Sequence, residues 1–292
     1  MFPIHLDLGF RTFYFYEGFY FLIAIIIGYS GARYLALKAK MNADKFDNFV
    51  LFTLLGGIVG GRISSMLIYG LDLLITNPLS LFYFWDGGIS IIGALPMGLL
   101  FGALYLKKHK LDIWKTTEFI VPPVLLAQAI GRIGCFMNGD GFGTVTNVPW
   151  AVRFPKYGTL IPAFKTFTGY ESPAWRFSYN QGLISADSPV SAPIHPAALY
   201  ESLGLFVLFG LSVLILSQVK KGRLSSKLLI LWHIGGYSFA RFFVEFFRAD
   251  RSSILPMGIS VLQLGLALAF LGCAAMAVFF SLKHKKQLAA SA

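Results

Sequence analysis

The informative residues of this 292-residue chain are charges set where charges are expensive. Arg62 follows Gly60-Gly61. Arg132 stands in Gly131-Arg132-Ile133-Gly134, and Glu201 closes the run His195-Pro196-Ala197-Ala198-Leu199-Tyr200-Glu201. Arg241, Glu245 and Arg248 fall within Tyr237 to Asp250. All lie in apolar surroundings, and a charge at the centre of a bilayer costs about 2.5–3.5 kcal/mol on insertion scales. A guanidinium offers a planar fork that pairs two-point with phosphate oxygens, so arginines retained at that cost point to an anionic phosphate ligand. Around Arg132 the glycines Gly131, Gly134, Gly139, Gly141 and Gly143, with Asn138, permit close backbone approach and an irregular helix end.

Each of these residues also has a plainer reading. Arg132 could snorkel to the interface. Arg241 and Glu245 are four apart, and Glu245 and Arg248 three apart, so on a helix either pair could be a structural ion pair. Tyr237, one turn before Arg241, adds a hydroxyl to the same face. His195 stands before a helix opened by Pro196, with Tyr200 and Glu201 close behind, and a lone histidine there is as readily structural as functional.

The elements that must hold these residues are membrane spans. The chain is 56% apolar and 13% charged, against about 25% charged in soluble domains. Its net charge of +11 is not spread as a nucleic-acid binder's would be. Of the Lys and Arg, 14 fall in four short clusters: Lys38/Lys40/Lys45, Lys107/Lys108/Lys110/Lys115, Lys220/Lys221/Arg223/Lys227 and Lys283/Lys285/Lys286. Each cluster follows a long apolar run, the positive-inside pattern of a membrane protein.

A span needs about 20 mainly apolar residues. Seven are expected, at 17–37, 48–70, 88–106, 117–137, 196–217, 228–247 and 258–282. The expected fold is therefore an all-α integral membrane protein, one polytopic domain over 1–292. The basic clusters put the amino terminus outside and the carboxyl terminus in the cytoplasm. Residues 72–86 are expected as a short outer segment. Residues 138–195, rich in Gly, Pro, Ser and Thr, are expected as a small extracytoplasmic lobe of strands and turns between spans four and five. Two cysteines, Cys135 and Cys273, make no disulfide framework or metal site.

Several stretches together resemble the phosphatidylglycerol–prolipoprotein diacylglyceryl transferases of bacterial inner membranes. They are Gly60 to Ile63, Trp85-Asp86-Gly87-Gly88-Ile89-Ser90, Gly131 to Gly143, His195 to Glu201 and Tyr237 to Asp250, in the family's order. The resemblance implies transfer of diacylglyceryl from phosphatidylglycerol to the lipobox cysteine of a prolipoprotein signal peptide, without cofactor or metal. Its partners would be these two substrates and membrane lipids, with no nucleic acid. Arg132 and Arg241 would clamp the phosphate and stabilise charge on the leaving group. Arg62, Asn138, Tyr237, Glu245 and Arg248 would line or brace the site, as would Gly143, His195 and Tyr200 from the matching stretches.

The chain departs from the family pattern at four positions: Ile92 replaces a His, Cys135 an Asn, Asp140 a Glu and Ser238 a Gly. Ile92 cannot take a proton, so His233, one turn before Tyr237 on the same span, is the candidate that could substitute as catalytic base, although nothing in the sequence places it at the site. The positive field of the arginines is the alternative route to a thiolate. Two other functions compete with the transferase: a weak or inactive relative that binds anionic phospholipid, and a small transporter. Transfer to a lipobox peptide separates the first from both, and the absence of an internal repeat counts against the last.

Overall fold

The computed structural model describes residues 4–7, 12–15, 17–83, 90–156, 171–251, 255 and 258–291. Residues 84–89, which hold the Trp85-Asp86-Gly87-Gly88-Ile89 part of the matching stretches, lie outside these, as does 157–170 of the expected lobe. Strands β1 (Ile4–Asp7) and β2 (Thr12–Phe15) pair antiparallel, with Ile4 opposite Phe15. Nine helices follow: α1 (Glu17–Lys38), α2 (Ala43–Tyr69), α3 (Leu71–Thr76), α4 (Ile91–Lys108), α5 (Ile113–Asn138), α6 (Pro173–Asn180), α7 (Ala197–Lys220), α8 (Lys227–Glu245) and α9 (Val261–Ser291), with a 3-10 helix over Pro78–Phe82, all among the described residues.

The long helices α1, α2, α4, α5, α7, α8 and α9 coincide with the seven expected spans. Six are long and apolar enough to cross a membrane. The remaining one, α8, is 19 residues long but carries His233, Tyr237, Arg241 and Glu245, which lower its hydropathy. Large apolar side chains lie uncovered along the helices, among them Leu55, Leu99, Val207, Leu214 and Leu268. In water such faces would be an aggregation liability; against lipid tails they are the expected surface.

The chain divides into two compact units. In Arg33–Phe119, α2 and α4 meet along glycines. A Cβ on Gly56 would come 2.6 Å from Phe101 Cγ, one on Gly102 2.7 Å from Thr53 Oγ1, and one on Gly93 would strike the Gly60 carbonyl. Lipid supplies no hydrophobic drive between helices, so small residues that let backbones touch supply dispersion contact instead. Arg62, 5% exposed, donates from Nη2 to the Ser80 carbonyl (2.6 Å) and from Nε to the Leu81 carbonyl (3.2 Å), fixing the 3-10 helix.

In the second unit, Met1–Ala32 with Ile120–Ala292, Gly28 and Gly31 of α1 rest on Ala127 and Pro123 of α5. The Ser202 hydroxyl of α7 donates to the Ala129 carbonyl of α5 (2.8 Å), and Trp232 of α8 donates to the Leu208 carbonyl of α7 (3.1 Å). Above α5 and α7, Phe136, Phe154, Ala174, Ile194 and Ala198 form a buried cluster. The strands expected in 138–195 are represented, among the described residues, by isolated bridges such as Val145–Ile194 and Val152–Ile194, and by helix α6.

Candidate functional site

The turn after α5 is built by glycine. Gly139 (φ +82°) and Gly141 (φ +59°) are left-handed, which a side chain resists. Gly143 then passes between two other segments, where a Cβ would lie 2.5 Å from the His195 carbonyl oxygen and 2.8 Å from that of Phe247. Backbone bonds lace the three together: Gly143 N to His195 O (2.9 Å), Thr144 N to Phe247 O (2.8 Å) and His195 N to Thr144 O (3.0 Å). The end of α5, the start of α7 and the end of α8 are thereby brought to one place.

Glu201, on the first turns of α7 and only 1% exposed, is the hub. Its Oε1 lies 3.0 Å from Arg132 Nε and accepts the Tyr237 hydroxyl at 2.9 Å. Its Oε2 makes no hydrogen bond among the described residues, and Arg248 Nη1 stands 4.0 Å away. Arg132 also points Nη1 at the Cys135 sulfur, 3.9 Å distant. One turn after Tyr237, Arg241 Nη2 is 2.8 Å from Glu245 Oε2. That contact is a charge pairing, and Glu245 Oε2 accepts no hydrogen bond among the described residues. Glu245 Oε1 also meets the Ser260 hydroxyl at 3.5 Å. The Nη1 of Arg241 has no partner among the described residues, although the residue is only 9% exposed.

Three guanidiniums thus gather on two buried carboxylates, with Asp250 taking the outer edge of Arg248. The expected Glu245–Arg248 pairing is absent among the described contacts, because α8 ends at Glu245 and Arg248 turns toward Glu201 and Asp250. A buried, unpartnered arginine nitrogen beside a second, semi-exposed arginine suits an anion.

The other expected residues fall at varied distances from this hub. Asn138 donates to Asp140 Oδ2 at the end of α5. Trp150 Nε1 donates to the Tyr200 hydroxyl (2.7 Å), which lies 3.1 Å from His195 Nδ1. Burial pushes His195 below its ordinary pKa and favours the neutral ring, whose Nδ1 shares a hydrogen bond with the Tyr200 hydroxyl. Phe247 packs edge-on to both rings. This aromatic group is a neighbour of the charged hub and shares no hydrogen bond with it among the described residues. His233 Nε2 is 3.0 Å from Gln128 Oε1, one turn below Tyr237 and Arg132 on their two helices. Arg62 and Ile92 belong to the other unit, Ile92 being 63% exposed. Reading the sequence flagged Glu201 as costly without giving it a partner. No partner role for Gln128 or Ser260 was legible in the sequence, and a polar amide in an apolar span four residues before Arg132 was the available signal.

Long apolar helices that carry this cluster of arginines and carboxylates define the class: a multi-span helical membrane protein with charged side chains gathered at one place. The family model described as prolipoprotein diacylglyceryl transferase matches residues 3–282, and the chain belongs to that family. It is 32% identical over 264 residues to the phosphatidylglycerol–prolipoprotein diacylglyceryl transferase of Idiomarina loihiensis, covering 88% of this chain and 83% of that protein. The enzyme of the same name from Bordetella parapertussis is 30% identical over 269 residues (89% and 88%), and that of a Nostoc species 28% over 278 residues (93% and 88%).

Proposed function

We propose that this chain transfers diacylglyceryl from phosphatidylglycerol to the lipobox cysteine of a prolipoprotein. The thiol sulfur attacks the glyceryl carbon that bears the phosphate. A C–S bond forms, the C–O bond to phosphate breaks, the thiol proton is lost and glycerol phosphate leaves. The observation that carries this reading is the open Nη1 of buried Arg241 beside the Arg132–Glu201 pair. Arg132 and Arg241 hold the phosphate and stabilise charge on the departing oxygen. Glu201, Tyr237, Glu245 and Arg248 fix those arginines, while Asn138 and Gly143 shape the turn beside them. His195 and Tyr200 form the site's aromatic edge, and Arg62 braces its own unit.

A free thiol has a pKa of about 8.5, so little of it is thiolate at neutral pH. The field of the arginines favours the thiolate. His233 is the second route, since Gln128 fixes its ring through Nε2 and Nδ1 has no hydrogen-bond partner among the described residues. The protein acts in the bacterial inner membrane as one polytopic domain. Its amino terminus and residues 138–195 are outside, and its carboxyl terminus is cytoplasmic.

The test is an assay of purified protein with phosphatidylglycerol and a lipobox peptide. Transfer that survives His233→Ala and rises with pH toward the thiol's own pKa supports the arginine field. Loss of turnover with lipid binding intact assigns the base to His233. Binding without any transfer by the parent protein refutes the enzyme.

A further inference from the structure

We propose that the Gln128–His233 pair is a subsite for the acyl ester carbonyls of the lipid substrate; the inference rests on the transferase reading and extends it. Gln128 is exposed on α5, a helix long and apolar enough to span a membrane. Exposure there means that the described residues leave Gln128 largely uncovered, and in a bilayer its other surroundings are lipid or water held in a cleft. An amide left without a partner in hydrocarbon costs several kcal/mol.

The amide is half satisfied. A carboxamide oxygen only accepts, so His233 must present Nε2–H to Gln128 Oε1 across their 3.0 Å contact. That bond fixes the plane of the amide. The Gln128 Nε2, with two N–H donors, has no partner among the described residues. The polar group suited to it is therefore an acceptor with no proton to give, at that depth in the membrane.

Depth identifies the acceptor. Gln128 precedes Arg132 by one helical turn, about 6 Å along α5. His233 likewise precedes Tyr237 by one turn and Arg241 by two. The polar interface of each leaflet is about 5–7 Å deep between headgroup and hydrocarbon. A lipid whose phosphate sits at Arg132 thus carries its glycerol ester carbonyls to the level of Gln128. A peptide substrate's thiol must instead approach at the level of the arginines, where the scissile C–O bond lies.

The decisive comparison uses phosphatidylglycerol with ester-linked chains and its analogue with ether-linked alkyl chains, which keeps the phosphate and lacks both carbonyls. The intact protein in detergent should use the diester with a kcat/KM about three- to tenfold higher, the worth of one ordinary hydrogen bond. Gln128→Leu should remove the difference, so that diester and diether are used with the same kcat/KM. Binding of the two lipids, followed by native mass spectrometry, needs no turnover and should show the same ratio. Equal binding and turnover of both lipids by the parent protein would overturn the subsite. So would an equal loss on both lipids in Gln128→Leu, which would assign the pair to the chemistry. Absence of transfer together with a retained ester preference in binding would overturn the transferase reading and leave the subsite standing.

Discussion

Arg132 Nε and Glu201 Oε1 meet at 3.0 Å, joining α5 to α7 through a carboxylate that is 1% exposed. Tyr237 of α8 donates to the same oxygen, so one carboxylate ties three helices at the level of the proposed phosphate. The arginine is itself 32% exposed at its side chain. It is therefore held from behind while its outer edge stays available.

Glu201→Gln should keep the volume and lose the charge. Removing one partner of a buried pair costs about 3–5 kcal/mol, and the partial exposure of Arg132 places this case near the low end. The expected result is a clear fall in the melting temperature in detergent, with weaker phosphatidylglycerol binding. An unchanged melting curve and unchanged binding would remove Glu201 from its role as anchor.

Arg132→Lys and Arg241→Lys should each fold and each lose turnover. An ammonium cannot reproduce a planar two-point contact, and the loss of one oxyanion donor costs about 2.7–4 kcal/mol, or about 100- to 1,000-fold in kcat. Steady-state transfer to a lipobox peptide measures this. Parental kcat in either variant would contradict the clamp.

Arg62 should behave differently. It bonds the carbonyls of Ser80 and Leu81. Arg62→Ala strands those acceptors, each at a cost of about 1–3 kcal/mol where buried. Thermal unfolding should therefore report the damage, and a variant that melts like the parent but fails only in catalysis would place Arg62 at the reacting centre instead.

Gly93→Ala tests the α2–α4 seam. The added methyl would collide with the Gly60 carbonyl and come 2.5 Å from Ser64 Cβ. Overpacking of this kind costs about 1–3 kcal/mol. A lowered melting temperature is expected, whereas Gly272→Ala, where nothing lies within 4 Å, should be neutral.

Orientation is checked by impermeant thiol labelling of single cysteines on intact cells. Cysteines placed in 140–195 should react from outside, and those near Lys108, Arg223 and the carboxyl terminus only after permeabilisation. Outside labelling near Lys108 would break the proposed topology.

The sequence by itself determined the spans. A bilayer demands about 20 continuous apolar residues, and that constraint is local, so 17–37, 117–137 and 228–247 fall close to Glu17–Lys38, Ile113–Asn138 and Lys227–Glu245. It also marked Arg132, Glu201 and Arg241, because charge in such a run is conspicuous. Helical spacing correctly paired Arg241 with Glu245. It mispaired Arg248, since the three-residue rule holds only while the helix continues, and α8 stops at Glu245.

Only the tertiary structure decided which carboxylate faces Arg132, that Gln128 holds His233, and that Arg62 serves two carbonyls of the 3-10 helix. These pairings join helices or segments distant in sequence. They depend on how far each helix is shifted along its axis and turned about it. Side-chain packing and the glycine-lined turn at Gly139–Gly143 set those offsets, and no pattern within a single span encodes them.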